Sequence, residues 1–270
     1  MMSQESSNKR HKLSNSSIIT NGNTSNDHLT EVSKNTRETE NLRAAHKFLQ
    51  KQITSFDDDE KYKFAQLLET SLIQEIHKEL MEDLLDGKQT APGKFSTKER
   101  AGRMLGETFN YPRYETEDIA FNAITALVDI YNSSVEEMKN LSTIDHSLTD
   151  ETLTQIFRLI TKVLFTFLQL HPFADGNGRL GRLLCSYFLE MVCPFPSAIY
   201  NVYSPTDKSD YVNILVKARE GLKFDKHLST EQEAIKFVGE IFDHMDESEL
   251  TALIVESNWY TWKEYLGNRN

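Results

Sequence analysis

The residues best suited to chemistry lie in one short segment: residues 171–182 read HPFADGNGRLGR. Apolar residues at helical spacing precede and follow this segment, which predicts that it joins two helices. A glycine-rich turn at the start of a helix directs several backbone N–H groups at one point, and the helix dipole adds positive potential there. The turn Gly176-Asn177-Gly178 therefore predicts a binding site for phosphate.

The side chains around this turn extend the prediction. Arg179 and Arg182 are three residues apart, and on one helix face two guanidinium groups can clamp phosphate oxygens. Asp175 suits Mg²⁺ beside those phosphates, and His171 suits proton transfer from a hydroxyl at neutral pH. Each residue alone fits a structural role, such as a helix cap, a turn or a surface charge. Together they indicate transfer of a phosphorus-containing group.

Composition narrows the class of protein. The chain has 270 residues and a net charge of −11 at pH 7, which suits one domain, or one domain with tails. The negative charge argues against non-specific binding to nucleic acid or membrane surfaces, so we expect neither as a partner. Cys185 and Cys193 lie among apolar residues without metal-site spacing, which predicts buried, reduced thiols.

The N-terminal region differs from the rest of the chain. Residues 1–35 are rich in Ser, Asn and Thr and contain no aromatic residue, which predicts a disordered tail. This region has no apolar leader, and NKRHK at 8–12 is either a nuclear address or a solvated charge cluster. The longest apolar run, VLFTFLQL at 163–170, is too short to span a bilayer. We expect a cytoplasmic or nuclear protein.

Helical periodicity from about residue 36 predicts an all-α class. Thr149 is the expected N-cap of a helix that is apolar on nearly all sides, which predicts a central buried helix ending at His171. Glycines and prolines interrupt the pattern at 84–114 and predict a loop or a short hairpin. Further helices are predicted from near residue 115 and at 208–219, 230–244 and 247–265.

The segment at 171–182 resembles the Fic family motif, HPF-x-[DE]-GNGR-x-x-R, and matches it at every defined position. Other stretches are similar to further parts of that family: ENLRAAHKFL at 40–49 to an early core helix, SLIQEIHKELM at 71–81 to the helix before the flap, APGKFS at 91–96 to the flap, and SDYVNILVKAREG at 209–221 to the helix behind the nucleotide base. The resemblance implies an all-α, Fic-like helical bundle with a short β-hairpin flap beside the active-site loop. It places the Fic domain at 36–245, between the tail at 1–35 and a C-terminal helical extension at 246–270.

The resemblance implies a protein adenylyltransferase, which moves AMP from ATP to a Ser, Thr or Tyr hydroxyl of a target protein or of the enzyme itself. His171 would be the general base, Asp175 would bind Mg²⁺, and Phe173 would anchor the loop in the core. The phosphates would be held by Gly176, Asn177, Gly178, Arg179 and Arg182. The flap residues Gly93, Lys94 and Phe95 would dock the target segment as an added strand.

Alternative functions stay open within this resemblance. A Fic fold could instead remove AMP, transfer phosphocholine, or serve as a catalytically idle interaction module. The intact His171 and Arg182 count against an idle module, because a fold-only role does not require them. Gly178 and Arg182 also favour nucleotidyl transfer, because kinase-like relatives lack the second glycine and the final arginine.

Many Fic proteins carry an inhibitory helix, [ST]-x-x-x-E-[GN], whose Glu pairs with the last motif arginine. TRETEN at 36–41 fits this pattern through Glu40, but it overlaps the early core helix. SSIITNGN at 16–23 has Thr20 or Asn21 in place of the acid, and TALIVESN at 251–258 holds Glu256 one residue out of register. We therefore predict that Arg182 has no intramolecular Glu partner, so that the enzyme is not strongly self-inhibited and any AMP-removing activity is weak.

Overall fold

The chain is described here from a computed structural model that places residues 24–54, 67–85, 90–142, 149–189, 199–224, 226–246 and 248–267. Within these ranges the elements in chain order are α1 (Thr24–Thr54), α2 (Thr70–Met81), β1 (Ala101–Met104), β2 (Glu107–Asn110), β3 (Arg113–Tyr114), α3 (Glu117–Ser142), α4 (Asp150–Leu170), α5 (Asn177–Leu189), α6 (Lys208–Ala218), β4 (His227–Leu228), α7 (Glu231–His244) and α8 (Ser248–Gly267). The predicted helical fold with a short hairpin is confirmed. Cys193 and the stretch around Thr20 and Asn21 lie outside the described residues.

Helix α4 forms the centre of the core, as its all-round apolar sequence predicts. Every residue from Val163 to Leu170 is buried, and the helix contacts α3, α5, α7 and α8. Thr149 is the N-cap, with its hydroxyl oxygen accepting from the N–H of Thr152 at 3.1 Å. By length and composition α4 could also cross a bilayer, but 67% of its apolar window is buried inside the fold, as in the core helix of a helical bundle.

Helix α5 packs closely on α4 because Gly181 lies at the contact. A Cβ atom at Gly181 would lie 3.1 Å from Leu164 Cδ1 and 3.2 Å from Leu168 Cδ2. Those distances are tighter than ordinary van der Waals contact, so a larger residue would force the two helices apart. Close packing here fixes the start of α5 relative to the end of α4, where the motif lies.

Two small sheets lie beside that junction. Strands β1 and β2 form an antiparallel hairpin at 101–110, and β3 pairs with β4 in parallel. Tyr114 in β3 is fully buried, and its hydroxyl donates to the carbonyl of Leu170 at 2.8 Å. This bond ties the second sheet to the last residue of α4.

The two ends of the chain add a helix on each side of the predicted domain. Helix α1 begins at Thr24, so the predicted domain start at residue 36 falls inside a helix. Asn41 of α1 is buried and its amide donates to the carbonyls of Leu80 and Glu82, where α2 ends. Helix α8, predicted at 247–265, packs on α4 and α6 and leaves Trp259 64% exposed.

Candidate active site

His171 caps the C-terminus of α4 in the left-handed conformation, with φ 46° and ψ 55°. Its backbone N–H donates to the carbonyl of Phe167 at 3.1 Å. Its Nδ1 lies 3.3 Å from the carbonyl oxygen of Leu168, and because a carbonyl only accepts, Nδ1 carries the proton. Nε2 is therefore the nitrogen that can accept a proton from a substrate.

The surroundings of His171 keep its imidazole neutral. Its pKa is lowered to about 3, mainly by burial and next by the positive charge of Arg100, with a smaller contribution from Arg219. The Leu168 carbonyl and Asp175 oppose this shift. A neutral imidazole is the form a general base needs, so His171 is in its basic form across the physiological pH range.

The loop that follows is held by the side chain of Asn177, the first residue of α5. Its Oδ1 accepts from the N–H of Phe173 at 3.0 Å, and its Nδ2 donates to the Phe173 carbonyl at 2.9 Å. Asn177 is 1% exposed and Phe173 is fully buried, so both bonds lie in the protein interior. The structure thus gives Asn177 a loop-closing role and confirms the predicted burial of Phe173.

His77, on α2, is a site residue that the sequence analysis missed. Its ring is fully buried and stacks on Phe173, with centroids 3.7 Å apart and planes 7° apart. Nδ1 accepts from the N–H of Gly93 at 2.9 Å, so Nε2 carries the proton and donates to the carbonyl of Asp175 at 3.0 Å. The neutral ring joins α2, the segment at 91–97 and the motif loop, and burial lowers its pKa to about 4.

Gly176 is required by both its backbone angle and its surroundings. Its φ is +80°, a region that L side chains rarely adopt. A Cβ atom there would lie 2.6 Å from the sulfur of Met81 and 3.4 Å from Nε2 of His77. The helical part of the turn then begins, with the N–H of Leu180 donating to the carbonyl of Gly176 at 2.9 Å.

Asp175 is the carboxylate beside this turn. Its side chain is 55% exposed, with Oδ1 accepting from the N–H of Gly176 at 2.6 Å and Oδ2 lying 3.6 Å from Arg179. The described residues contain no group of three or more His, Cys, Asp or Glu that could hold a metal ion by themselves. A single open carboxylate fits Mg²⁺, which commonly keeps one or two carboxylates together with substrate phosphates and waters.

The two motif arginines have different partners. Arg179 lies between carboxylates, with Nη1 3.3 Å from Oε1 of Glu38 on α1 and Nη2 3.6 Å from Asp175. Arg182 instead lies over the ring of Tyr200, 5.4 Å from its centroid. Among the described residues no carboxylate pairs with Arg182, and the absence of a Glu partner stays a prediction because Thr20 and Asn21 lie outside those residues. Glu38 was overlooked because the inhibitory pattern pointed to Glu40, which is exposed.

A cavity of about 420 Å³ opens between α1 and α5 next to these arginines. It is lined by Leu42, Arg43, His46, Lys47, Gln50, Arg179, Arg182, Leu183 and Ser186. None of these described lining residues is a carboxylate, and this side of α5 offers the positive charge of Arg182 to an anion.

The hairpin lies further along the chain than the resemblance placed the flap. Residues 91–97 form no strand, and Phe95 is buried against Phe173 with ring centroids 4.9 Å apart. Gly93 is packed on α2, and the exposed Lys94 lies 3.9 Å from Glu117. The hairpin at 101–110 is therefore the strand pair near His171, and a docking role for Gly93, Lys94 and Phe95 stays a prediction.

Replacing His77 with Gln should reduce the sensitivity of the fold to acid. The ordinary histidine pKa of 6.5 is lowered to about 4 in the folded chain. As the pH falls through that window only the unfolded chain takes up the proton at this position, so His77 contributes a decrease of about 3 kcal/mol to the free energy of unfolding. Gln is not titratable but keeps a donor and an acceptor. Urea unfolding of the wild type at several pH values should show this loss, and H77Q a shallower one.

His244→Gln is the matched control, because His244 is exposed on α7 and its Nε2 lies 3.0 Å from the carbonyl oxygen of Glu220. Its pH dependence should follow that of the wild type. Equal slopes for the wild type and H77Q would show that the buried ring does not destabilise the fold in acid.

Comparison with known proteins agrees with this geometry: residues 67–189 match the Fic/DOC family model. The match covers α2 to α5, the hairpin and the whole motif, so this part of the chain is similar to the Fic/DOC family. It is narrower than the predicted domain at 36–245, whose remaining boundaries stay predictions.

Two curated relatives are similar over part of the chain. A Fido domain-containing protein of Dictyostelium discoideum is 30% identical over 107 residues, covering 39% of this chain and 58% of that protein. A protein of Ostreid herpesvirus 1 named ribonucleoside-diphosphate reductase small chain is 30% identical over 109 residues, covering 38% of this chain and 18% of that protein. The matched regions thus span less than two thirds of either relative.

Solved Fic structures are similar at lower identity. A Fic domain containing signaling protein from Bacteroides thetaiotaomicron is 21% identical with a TM-score of 0.46, covering 88% of this chain and 76% of that one. Fic-1 from C. elegans is 16% identical with a TM-score of 0.45, covering 93% of this chain and 56% of the other.

Proposed function

We propose that this protein transfers AMP from ATP to a Ser, Thr or Tyr hydroxyl of a target protein. Fic domains are generally transferases, and the family commonly catalyses AMPylation or a related transfer. The observation that carries the proposal is the pairing of His171 with the turn that starts α5. A neutral histidine with Nε2 as its basic nitrogen lies four residues before an Asp-Gly-Asn-Gly turn at a helix N-terminus.

In the proposed reaction the hydroxyl oxygen of the target forms a bond to the α-phosphorus of ATP. The bond from that phosphorus to the oxygen bridging the β-phosphate breaks, and pyrophosphate leaves. The hydroxyl proton goes to Nε2 of His171, whose Nδ1–H is directed to the Leu168 carbonyl. The imidazole of His171 is neutral before the reaction, so it can accept this proton.

The residues of the turn would hold the nucleotide. Free N–H groups at the start of α5 and the guanidinium groups of Arg179 and Arg182 attract phosphate oxygens. Asp175 would hold Mg²⁺ against the phosphates, and the ion would supply positive charge to offset theirs. Gly176 leaves room for the backbone of the turn, because no side chain fits beside Met81.

Intact-protein mass spectrometry tests the proposal and separates its alternatives. The full chain is incubated with ATP, Mg²⁺ and candidate target proteins, and the mass of each protein is recorded. An added AMP residue supports adenylyl transfer, whereas an added phosphate indicates a kinase. Added phosphocholine from CDP-choline, or loss of AMP from a modified target, would favour the other Fic reactions. The cytoplasmic or nuclear location stays a prediction.

Replacing Glu38 with Gln should tighten ATP binding by about two- to fivefold, the scale of a partly exposed ion pair. In the structure Arg179 pairs with Glu38. Glu38 therefore competes with phosphate for this guanidinium group and places negative charge beside the phosphate-binding turn. Gln keeps the size of the side chain and removes the charge. Isothermal titration with ATP and Mg²⁺ measures the change in Kd.

Glu40→Gln is the control, because Glu40 lies two residues further along α1 and is exposed. Its Kd should equal that of the wild type, as should the Kd of E256Q. An unchanged Kd for E38Q would mean that the ion pair does not compete with phosphate, and a lower Kd for E40Q would point to the inhibitory pattern instead.

A further inference from the structure

We propose that Tyr111 is a positioning residue for His171: its ring fixes the plane of the imidazole and covers one of its faces. The proposal rests on the proposed role of His171 as general base. Tyr111 follows strand β2, outside the motif. Its ring lies flat on the imidazole, with centroids 3.7 Å apart and planes 9° apart.

The contact matters because His171 has little else to hold its ring. Within the described ranges the ring makes one hydrogen bond, from Nδ1 to the Leu168 carbonyl, and at 3.3 Å it is beyond the usual range for such bonds. A bond of that length allows the ring to tilt about it. A parallel aromatic face restricts that tilt, so the direction of Nε2 depends on the stack.

Strand β1 is built to leave room for the ring of Tyr111. A Cβ atom at Gly102 would lie 2.8 Å from the Tyr111 hydroxyl oxygen and 3.2 Å from its Cε2. Gly102 has no positive φ, so the space rather than the backbone angle calls for glycine here. The backbone N–H of Tyr111 also donates to the carbonyl of Arg100 at 3.0 Å, just before β1.

Arg219, after α6, packs against the tyrosine ring. Its guanidinium carbon is 5.2 Å from the centroid of the Tyr111 ring. The same group bonds Oε1 of Gln169, two residues before His171, and is only 6% exposed. The tyrosine is thus connected through Arg219 to the helix that carries the histidine.

Among the described residues, charged groups of both signs act on the imidazole. Burial lowers the pKa of His171 most, Arg100 and Arg219 lower it further, and the Leu168 carbonyl and Asp175 raise it. Tyr111 is uncharged and contributes by excluding water from the ring face. Loss of the tyrosine ring should therefore let water reach the imidazole while leaving these charges in place.

The test compares Tyr111→Ala and Tyr111→Phe in the full chain. NMR of histidine-labelled protein without nucleotide follows the titration of His171, assigned by its absence in H171A, and needs no activity. In Y111A the His171 pKa should rise toward its ordinary value of 6.5 from about 3. In transfer assays kcat of Y111A should fall at least about tenfold with KM for ATP unchanged, because only the base is misplaced. Y111F should resemble the wild type in both assays.

Gly102→Ala displaces the tyrosine without altering it and should shift the His171 titration in the same direction as Y111A. Tyr203→Ala, an exposed ring before α6, is the control and should change neither readout. An unchanged His171 titration in Y111A, or an equal loss of kcat in Y111A and Y111F, would overturn the proposal. A shifted titration in a chain that transfers nothing from ATP would support the positioning role while the proposed function fails.

Discussion

Asn177→Ala should lower the free energy of unfolding by about 2–5 kcal/mol, because two buried backbone groups lose their partners at once. Asn177 closes the motif loop with one bond to the N–H and one to the carbonyl of Phe173. Water cannot replace these bonds where Asn177 is 1% exposed and Phe173 is fully buried. Urea unfolding at neutral pH measures the change.

The same substitution should also abolish nucleotide binding, because the loop sets the direction of the N–H groups at the start of α5. Asn35→Ala, at an exposed position of α1, is the matched control and should leave stability and ATP affinity unchanged. An N177A variant as stable as the wild type would mean that the loop is held by the stacking of Phe173 on His77 instead.

His171→Ala should reduce the rate of transfer by about 10²- to 10⁴-fold, the range expected for removal of a general base. The fold should persist, because among the described residues the side chain of His171 makes one long hydrogen bond and one ring contact. The Kd for ATP should also persist, because the arginines and the turn are intact. The measurements are steady-state transfer kinetics and ATP titration on the same preparation.

His244→Ala, on the exposed surface of α7, controls for loss of a histidine elsewhere and should transfer at the wild-type rate. A rate for H171A within about tenfold of the wild type would contradict the general-base role. A weaker ATP Kd in H171A would show that the ring contributes to binding as well as to proton transfer.

The residues that the sequence predicted share one property: they are contiguous. The segment from His171 to Arg182 runs from the end of α4 into the start of α5, and both helices are strongly periodic in sequence. The junction of the two helices therefore brings its residues together. The central helix was equally predictable, because an apolar surface on all sides requires burial on all sides.

The residues that the sequence did not predict act across large separations in the chain. His77 bonds a carbonyl 98 residues away, and Arg219 bonds Asn110 across 109 residues. A lone histidine on a helix gives no local sign of such contacts. The pairing of Glu38 could not be predicted for the same reason. Glu38 lies three residues before the buried Asn41 and so on the same side of α1, but its partner Arg179 lies on α5, far along the chain.

A short hairpin was predicted within 84–114, but the position of its strands was not. Glycines and prolines at 84–114 indicate that the helical pattern stops, but strands of four residues carry too few alternations to be located. The flap resemblance at 91–96 therefore marked a segment that is packed into the core through Phe95. The strands themselves lie at 101–110. Gly102 in β1 packs against Tyr111, which follows β2 and covers one face of His171.

The most direct test of the proposed transfer compares two radioactive labels. The wild-type chain and H171A are incubated with Mg²⁺ and with ATP labelled on either the α- or the γ-phosphate, and the label on protein is counted. The account predicts protein label from α-labelled ATP only, and only with the wild-type chain. Label from γ-labelled ATP, or α-label that H171A also incorporates, would contradict it.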